Sequence, residues 1–364
     1  MNSLLYYKAI NAIGLNQDSD FVNFAKIYKF IGIGVTLTDR TEQFEFPIKT
    51  TLYNQCQLPT LQPSTLTYRD CCNRRAQELW ELSHKLDIPI GIMWSGGIDS
   101  TRILVSFLEN YPLPELKDRI RIITSEYSKL ENPSFYYNHI LPNFELISSE
   151  LAPWLFDKKM IIVTGEFNDQ LFGSDTLLGF MMQHSDSFTK ALDRQDIFNY
   201  VDKKINDPHV TNIFVDAVID SARTYGVTLE KNADWFWWFN FCFKWQTVYF
   251  RILSLIMPKF QSNINPEFMQ TYVHHFFNTT DFQLWSISNP QNRILKRWKD
   301  YKHQAKLEIY QFDKNQDYYE NKTKRGSLVL VFQQRVLTEA IDSNFNFYKN
   351  IDLSNFINRP NVFQ

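Results

Sequence analysis

The chain has 364 residues and a mass of 43.3 kDa, with a formal net charge of −2, 44% hydrophobic residues and 21% charged ones. This composition excludes a disordered or fibrous chain, and the nearly neutral charge gives no overall basic surface for nucleic acid. Phe, Tyr and Trp make up 16% of the sequence while glycine supplies only 11 residues, so the glycines are expected where no side chain fits.

Residues 1–8 show no charged stretch leading into an apolar one, and the densest apolar run, 235–243, is far shorter than a membrane span and is broken by Asn240. The four cysteines, Cys56, Cys71, Cys72 and Cys242, form no CxxC pair and stand at no metal-ligand spacing from a histidine. The expectation is a protein without a membrane partner, in a reducing cytoplasm. Abundant Asn, Lys, Ile, Phe and Tyr suit an AT-rich genome; were the chain viral, the compartment would be the host cytoplasm.

Residues 1–66 combine a short helical start with strand-like pieces at 30–37 and 41–52, and read as a small α+β lead-in closed by a loop with Pro59 and Pro63. From Thr67 the pattern changes to a helix, with Leu79, Leu82 and Leu86 three and four residues apart. Three short apolar runs follow, at 88–94, 120–124 and 160–164, separated by stretches long enough for crossover helices. Continuous apolar runs between helices predict a parallel sheet covered on both faces, so residues 67–190 read as an α/β core. Residues 191–364 read as mainly helical, with helices around 190–206, 212–224, 233–257, 267–277 and 290–310.

The first predicted strand runs directly into Ser95-Gly96-Gly97-Ile98-Asp99-Ser100-Thr101 and then into a helical pattern. A strand, a tight Gly-Gly turn and a helix start present amide groups and a positive dipole end, which suits an anion such as phosphate. The hydroxyls of Ser95, Ser100 and Thr101 add donors. Asp99 beside a polyphosphate calls for a bridging Mg²⁺. The GxxxxGK[ST] phosphate loop is absent. The SGGxDS form resembles the PP-loop of the ATP pyrophosphatases, the adenine nucleotide α-hydrolase-like proteins that cleave ATP between its α and β phosphates. A Gly-Gly turn capped by Asp99 as the helix N-cap is the ordinary structural alternative.

The third run ends in Thr164-Gly165-Glu166-Phe167-Asn168-Asp169-Gln170-Leu171-Phe172-Gly173. This resembles the SGEGxDELFGG segment of the asparagine synthetases and their relatives. The resemblance spans about residues 65–335 and implies a synthetase domain that adenylates an acceptor with ATP. By that resemblance Asp99 and Asp169 hold Mg²⁺, Glu166 takes a proton from the attacking amine, and Thr164 and Gly165 lie against the nucleotide together with Ser95, Gly96, Gly97, Ser100 and Thr101. Phe167 and Gln170 depart from the family pattern, as does Ser174 in place of the second closing glycine.

The family also carries a late lysine that neutralises leaving pyrophosphate. Lys324 aligns best, two residues before Gly326, with Lys322 in reserve; Lys296, Lys302 and Lys306 remain alternatives. No counterpart of the N-terminal glutaminase domain of full-length asparagine synthetases is expected, since Asn2 stands where its cysteine would be and fewer than ~90 residues precede the strand that leads into the loop. Nitrogen would then come from ammonia, from a substrate amine or from a separate glutaminase subunit.

The implied activity is AMP- and pyrophosphate-forming ligation of a carboxylate or carbonyl acceptor. The rival readings are a nucleobase or nucleic-acid modification enzyme using the same loop, and a degenerate nucleotide-binding subunit. The aromatic run 234–246 reads as a buried helix, or as a wall for a flat nucleobase with Lys244 and Gln246 as polar contacts; His274 and His275 read as structural.

Overall fold

Two of the three apolar runs become fully buried strands, every residue of Ile90–Met93 and of Ile161–Thr164 being buried, and in the remaining one, Ile120–Thr124, only Arg121 is half-buried, as strands covered on both faces require. The computed structural model describes residues 3–8, 37–44, 52–173, 190–292, 300–322 and 337–349, with the single positions 26, 27, 30, 177, 180, 181 and 183. In chain order its elements begin with β1 (Leu4–Tyr7), α1 (Tyr68–Leu86), β2 (Ile90–Met93), α2 (Ile98–Asn110), α3 (Leu113–Arg119), β3 (Ile120–Thr124), α4 (Glu126–Glu131), β4 (Glu145–Ser148) and β5 (Ile161–Thr164). After these come α5 (Asn168–Phe172), α6 (Arg194–Ile205), α7 (Pro208–Tyr225), α8 (Asn232–Trp238), α9 (Trp245–Phe250), α10 (Pro266–Tyr272) and β6 (Val273–His275). The last are α11 (Thr280–Ser288), α12 (His303–Asp313), α13 (Gln316–Asn321), β7 (Ala340–Asp342) and β8 (Phe347–Tyr348).

Two compact units result, each assembled from separated segments: Gln62–Asn168 with Leu255–Leu337, and Met1–Leu61 with Asp169–Ser254 and Thr338–Gln364. The first unit is α/β, built on a five-stranded sheet in the order β4-β3-β2-β5-β6. All four strand pairings in it are parallel. The order turns at the centre, because β3 and β4 extend the sheet on one side of β2 whereas β5 and β6 extend it on the other. The crevice between β2 and β5 is therefore the topological switch point, where the loops leaving the two strands diverge to opposite faces.

Helix α1 enters this unit through a capping box: the Thr67 side chain accepts from Asp70 N–H while Asp70 takes the Thr67 N–H. Its buried face carries Cys71, Cys72, Ala76, Leu79, Trp80 and Ser83 at helical spacing. Two strands of the sheet escape the apolar pattern. Strand β4 is an edge strand with mostly exposed residues, so it lacks the continuous run that marks its neighbours. The segment 267–277, expected as one helix, is a helix only to Tyr272; Val273–His275 then pairs with β5 as the opposite edge. A three-residue strand is too short to show a period of two, and Phe276 and Phe277 mimic a helical stripe.

The second unit has a three-stranded sheet ordered β1-β7-β8, with antiparallel pairing of Leu4 to Asp342 and Tyr7 to Ala340. The strand-like piece at 30–37 lies outside the described residues except for Phe30 and Leu37, and most of 41–52 does too; Leu52 makes a single bridge with Leu4. The helix expected over 233–257 is four pieces: α8, a π-helical turn at Phe239–Phe243, α9 and a 3₁₀ turn at Arg251–Leu255. Its aromatic rings form core, since Trp235, Trp237, Trp238, Phe241 and Trp245 are at most 1% exposed. Gln246 ties this run to the N-terminal strand rather than facing a ligand, donating to Leu5 O at 3.0 Å and Tyr53 O at 2.7 Å and accepting from Gln55 N–H at 2.7 Å. Arg40 closes the same core, its guanidinium 4.5 Å from the Trp245 ring and donating to Phe241 O at 3.0 Å. Among the described residues no helix is long and apolar enough to cross a membrane.

Candidate functional site

The glycine turn leaves the carboxyl end of β2. Gly96 adopts φ +73°, a left-handed conformation closed to most side chains, and a Cβ there would stand 2.2 Å from Ser128 O and 2.8 Å from Glu131 Cβ. Helix α4, which follows β3, is pressed against it. Gly97 is less crowded, since its Cβ would meet only Ser95 Oγ, at 3.0 Å. The two serines organise the turn from within. Ser95 N–H donates to Ser100 Oγ at 3.0 Å, Gly97 N–H donates to Ser95 Oγ at 3.2 Å, and the two hydroxyls are 3.0 Å apart. Thr101 is fully buried and accepts from the Trp94 indole N–H at 3.2 Å. Helix α2 then starts with Gly97 as its N-cap and without a side-chain cap, whereas α1, α6, α7, α10 and α11 each have one. The positive end of the α2 dipole, without a side-chain cap, favours an anion at this turn.

The second motif leaves the neighbouring strand, β5. Thr164 spends its hydroxyl on His275 Nδ1 at 2.7 Å, across the β5–β6 pair. The Cβ that Gly165 lacks would lie 3.1 Å from Asp99 Cβ and 3.2 Å from Ser100 N, so the bare backbone of Gly165 lets α2 approach. Glu166 is half-buried. Phe167 has φ +78°, so the backbone keeps a conformation suited to glycine while the ring is buried edge-on to His275. Asn168 follows, fully buried, accepting from Tyr68 O–H at 3.0 Å and donating to an Asp99 oxygen at 2.7 Å. Asp169 is the next residue in the chain, half-buried, and the first of the other compact unit.

Asp99 is met by a cation of the chain itself. Lys302 Nζ lies 2.6 and 2.5 Å from its two carboxylate oxygens, and Lys302 is only 2% exposed. Lys302 is the N-cap of α12, with φ 50°, and α12 packs along α2. The amino ends of two helices thus converge on one ion pair. With both oxygens facing the ammonium and one also held by Asn168, Asp99 as it stands does not fit the role of a Mg²⁺ ligand. Among the described residues no three His, Cys, Asp or Glu side chains form a group that could hold a metal.

The late lysines separate. Lys322 comes close to the glycine turn but closes onto Glu131, with which it forms a buried ion pair, and its ammonium also donates to Glu131 O at 3.3 Å. Tyr318, one turn earlier on α13, donates its hydroxyl to Gly96 O at 3.3 Å, and burial raises its pKa. A polar cavity of about 320 Å³ opens beside them, lined by Glu131, Asn132, Asn315, Asp317 and Asn321 among others. Lys306 is also buried; Lys324, Lys296 and Gly326 lie outside the described residues.

The histidine pair is partnered structurally, as expected. His274 Nδ1 is 3.0 Å from the Arg75 guanidinium and its Nε2 is 3.2 Å from Thr271 O. Burial first, then the charge of Arg75, pushes its pKa down to about 3.

No protein-family model matches the chain, and no curated protein matches it. The arrangement itself therefore carries the functional reading. Asn168 is the participant that residue patterns missed, and Lys302 stood there only as an alternative among the late lysines, with no link to Asp99. Asn168 sits inside the second motif, where only its acidic neighbours attracted a chemical role, and the link between Lys302 and Asp99 spans 203 positions of sequence.

Proposed function

We propose that the chain is an ATP-dependent ligase forming a C–N bond, with AMP and pyrophosphate as its nucleotide products. One observation carries this reading. Both motifs singled out in the sequence leave the carboxyl ends of β2 and β5, the two strands that flank the switch point of a parallel sheet. Ligands of open α/β sheets bind in that crevice. The uncapped start of α2 supplies an anion-attracting terminus there, and the left-handed Phe167 supports the resemblance of the second motif to a glycine-bearing segment.

In the proposed reaction an oxygen of the acceptor, a carboxylate or a ring or amide carbonyl, attacks the α-phosphorus of ATP. The bond to the β-phosphate oxygen breaks and pyrophosphate leaves with its electron pair. The turn at Ser95–Gly97 and the first turn of α2 stabilise the departing charge, a preorganised electrostatic contribution. Ammonia or an amine, free or handed on by a separate glutaminase, then attacks the adenylated carbon and expels AMP. Glu166, at the end of β5, accepts the proton that the nitrogen loses. Mg²⁺ enters this reading as a companion of the ATP phosphates, and no step is routed through a metal on Asp99.

The test is incubation with α-labelled ATP, Mg²⁺ and a panel of carboxylate, amide and nucleobase acceptors, with ammonia or amines. AMP and pyrophosphate that appear only with the right acceptor support the proposal. ADP and orthophosphate as sole products would overturn it, and a nucleobase acceptor would move the protein to the modification class.

A further inference from the structure

Lys302 accepts two unfavourable conditions in order to reach Asp99. It is a lysine in the left-handed region, φ 50°, and it places a positive charge at the amino end of α12, where the helix dipole disfavours it. It is also nearly stripped of water, at 2% exposure. An ion pair that takes up a buried ammonium must be well made, and this one is: both carboxylate oxygens lie within 2.6 Å of Nζ, and Asn168 donates to the same carboxylate. The pair is not sealed. The Asp99 side chain retains 23% of its exposure while Lys302 is buried, so an anion arriving at the start of α2 meets the carboxylate first and reaches the ammonium by displacing it. Lys322 offers no comparable opening, because it and Glu131 are 6% and 5% exposed.

We propose that Lys302 occupies the cation position of Asp99 in the empty protein and passes to the phosphates of an incoming polyphosphate, so that phosphate binding at the α2 terminus depends on this lysine and not on a metal seated on Asp99. The proposal rests on the nucleotide reading above for the identity of the ligand. It assigns the phosphate-neutralising role to Lys302 rather than to Lys322. The carboxylate holds the ammonium in place against its strained backbone. A polyphosphate, with more charge and the α2 amide groups beside it, competes for the same cation.

Calorimetric titration of tripolyphosphate and of ATP into the full chain, with EDTA and separately with Mg²⁺, tests this. The wild type should bind tripolyphosphate in EDTA. Lys302→Met should weaken that binding about tenfold or more, and Lys302→Arg should keep most of it. Asp99→Asn, of nearly identical shape, should strengthen metal-free binding by releasing the ammonium, which keeps the test decisive if Lys302→Met does not fold. With no nucleotide present, Mn²⁺ should raise the melting temperature of Lys302→Met, whose Asp99 has lost its cation, and leave the wild type unchanged. Tripolyphosphate affinity that is the same in Lys302→Met and wild type, while ATP still binds, overturns the role of Lys302 and leaves the ligase reading standing. Metal-free affinity that falls in Asp99→Asn does the same. Failure of the wild type to bind ATP or tripolyphosphate under either condition overturns both.

Discussion

Gly165 and Ser100 meet backbone to backbone: the Ser100 amide nitrogen lies 3.2 Å from where a Gly165 side chain would begin. The contact couples the end of β5 to the first turn of α2. Gly165→Ala must push against helix backbone rather than a yielding side chain, and should cost about 1–3 kcal/mol in urea denaturation. Gly96→Ala should cost more, because its Cβ would stand 2.2 Å from a carbonyl oxygen at φ +73°. Gly97→Ala meets only Ser95 Oγ and should leave stability nearly unchanged. Loss of ATP binding in a stable Gly97→Ala protein is then expected from ligand approach alone; equal melting and equal binding would remove Gly97 from the site.

Phe167 should reverse the ordinary ranking of alanine over glycine. Either truncation removes a buried ring worth about 3 kcal/mol or more. Only glycine also relieves the left-handed backbone, worth about 1 kcal/mol. Phe167→Gly is therefore expected to unfold at higher denaturant than Phe167→Ala. The opposite order would mean that the turn relaxes out of φ +78° once the ring is gone.

The central strands and the motifs at their ends could be read from residue order, because two-sided burial forces unbroken apolar runs and because glycines are scarce enough to mark tight turns. Helix starts such as Thr67 were equally local. What could not be read is what depends on distant partners. Asp99 attracts a metal when considered with its sequence neighbours alone, and the cation it meets comes from residue 302. Edge strands such as β4 and β6 are short and partly polar, so nothing in their composition separates them from loop or helix end.

Acid should weaken the fold through His274. Its folded pKa, about 3, lies below the ordinary value of 6.5, so between those values the unfolded chain binds a proton that the native one does not. Stability is thus full above about pH 6.5 and falls as the pH drops toward 3, by up to ~1.4 kcal/mol per unit from this group. Denaturant midpoints at pH 7 and pH 5 should differ by less in His274→Gln than in the wild type. An unchanged difference would show that other groups carry the acid response.

The cysteines should be chemically silent in the native protein. Burial pushes the Cys56 thiol up to about 12 and the Cys72 thiol up to about 11, and it raises those of Cys71 and Cys242 as well. At pH 8 a thiol reagent should react slowly with the folded chain and promptly with four thiols in urea. Fast labelling of one native cysteine would reveal an opening of its surroundings.

The sheet order has a consequence for synthesis. Strand β5 is complete once Thr164 has been made, yet the strand that covers its outer edge, β6, begins only at Val273, after the chain has produced α5 to α10. Until then a strand that is apolar but for Thr164 presents an unpaired rim of amide and carbonyl groups, the kind of template on which chains cross-pair. The emerging chain should therefore be most prone to aggregation when it ends between these two strands, and a chaperone that shields it over that interval would improve the yield more than one acting on the finished protein.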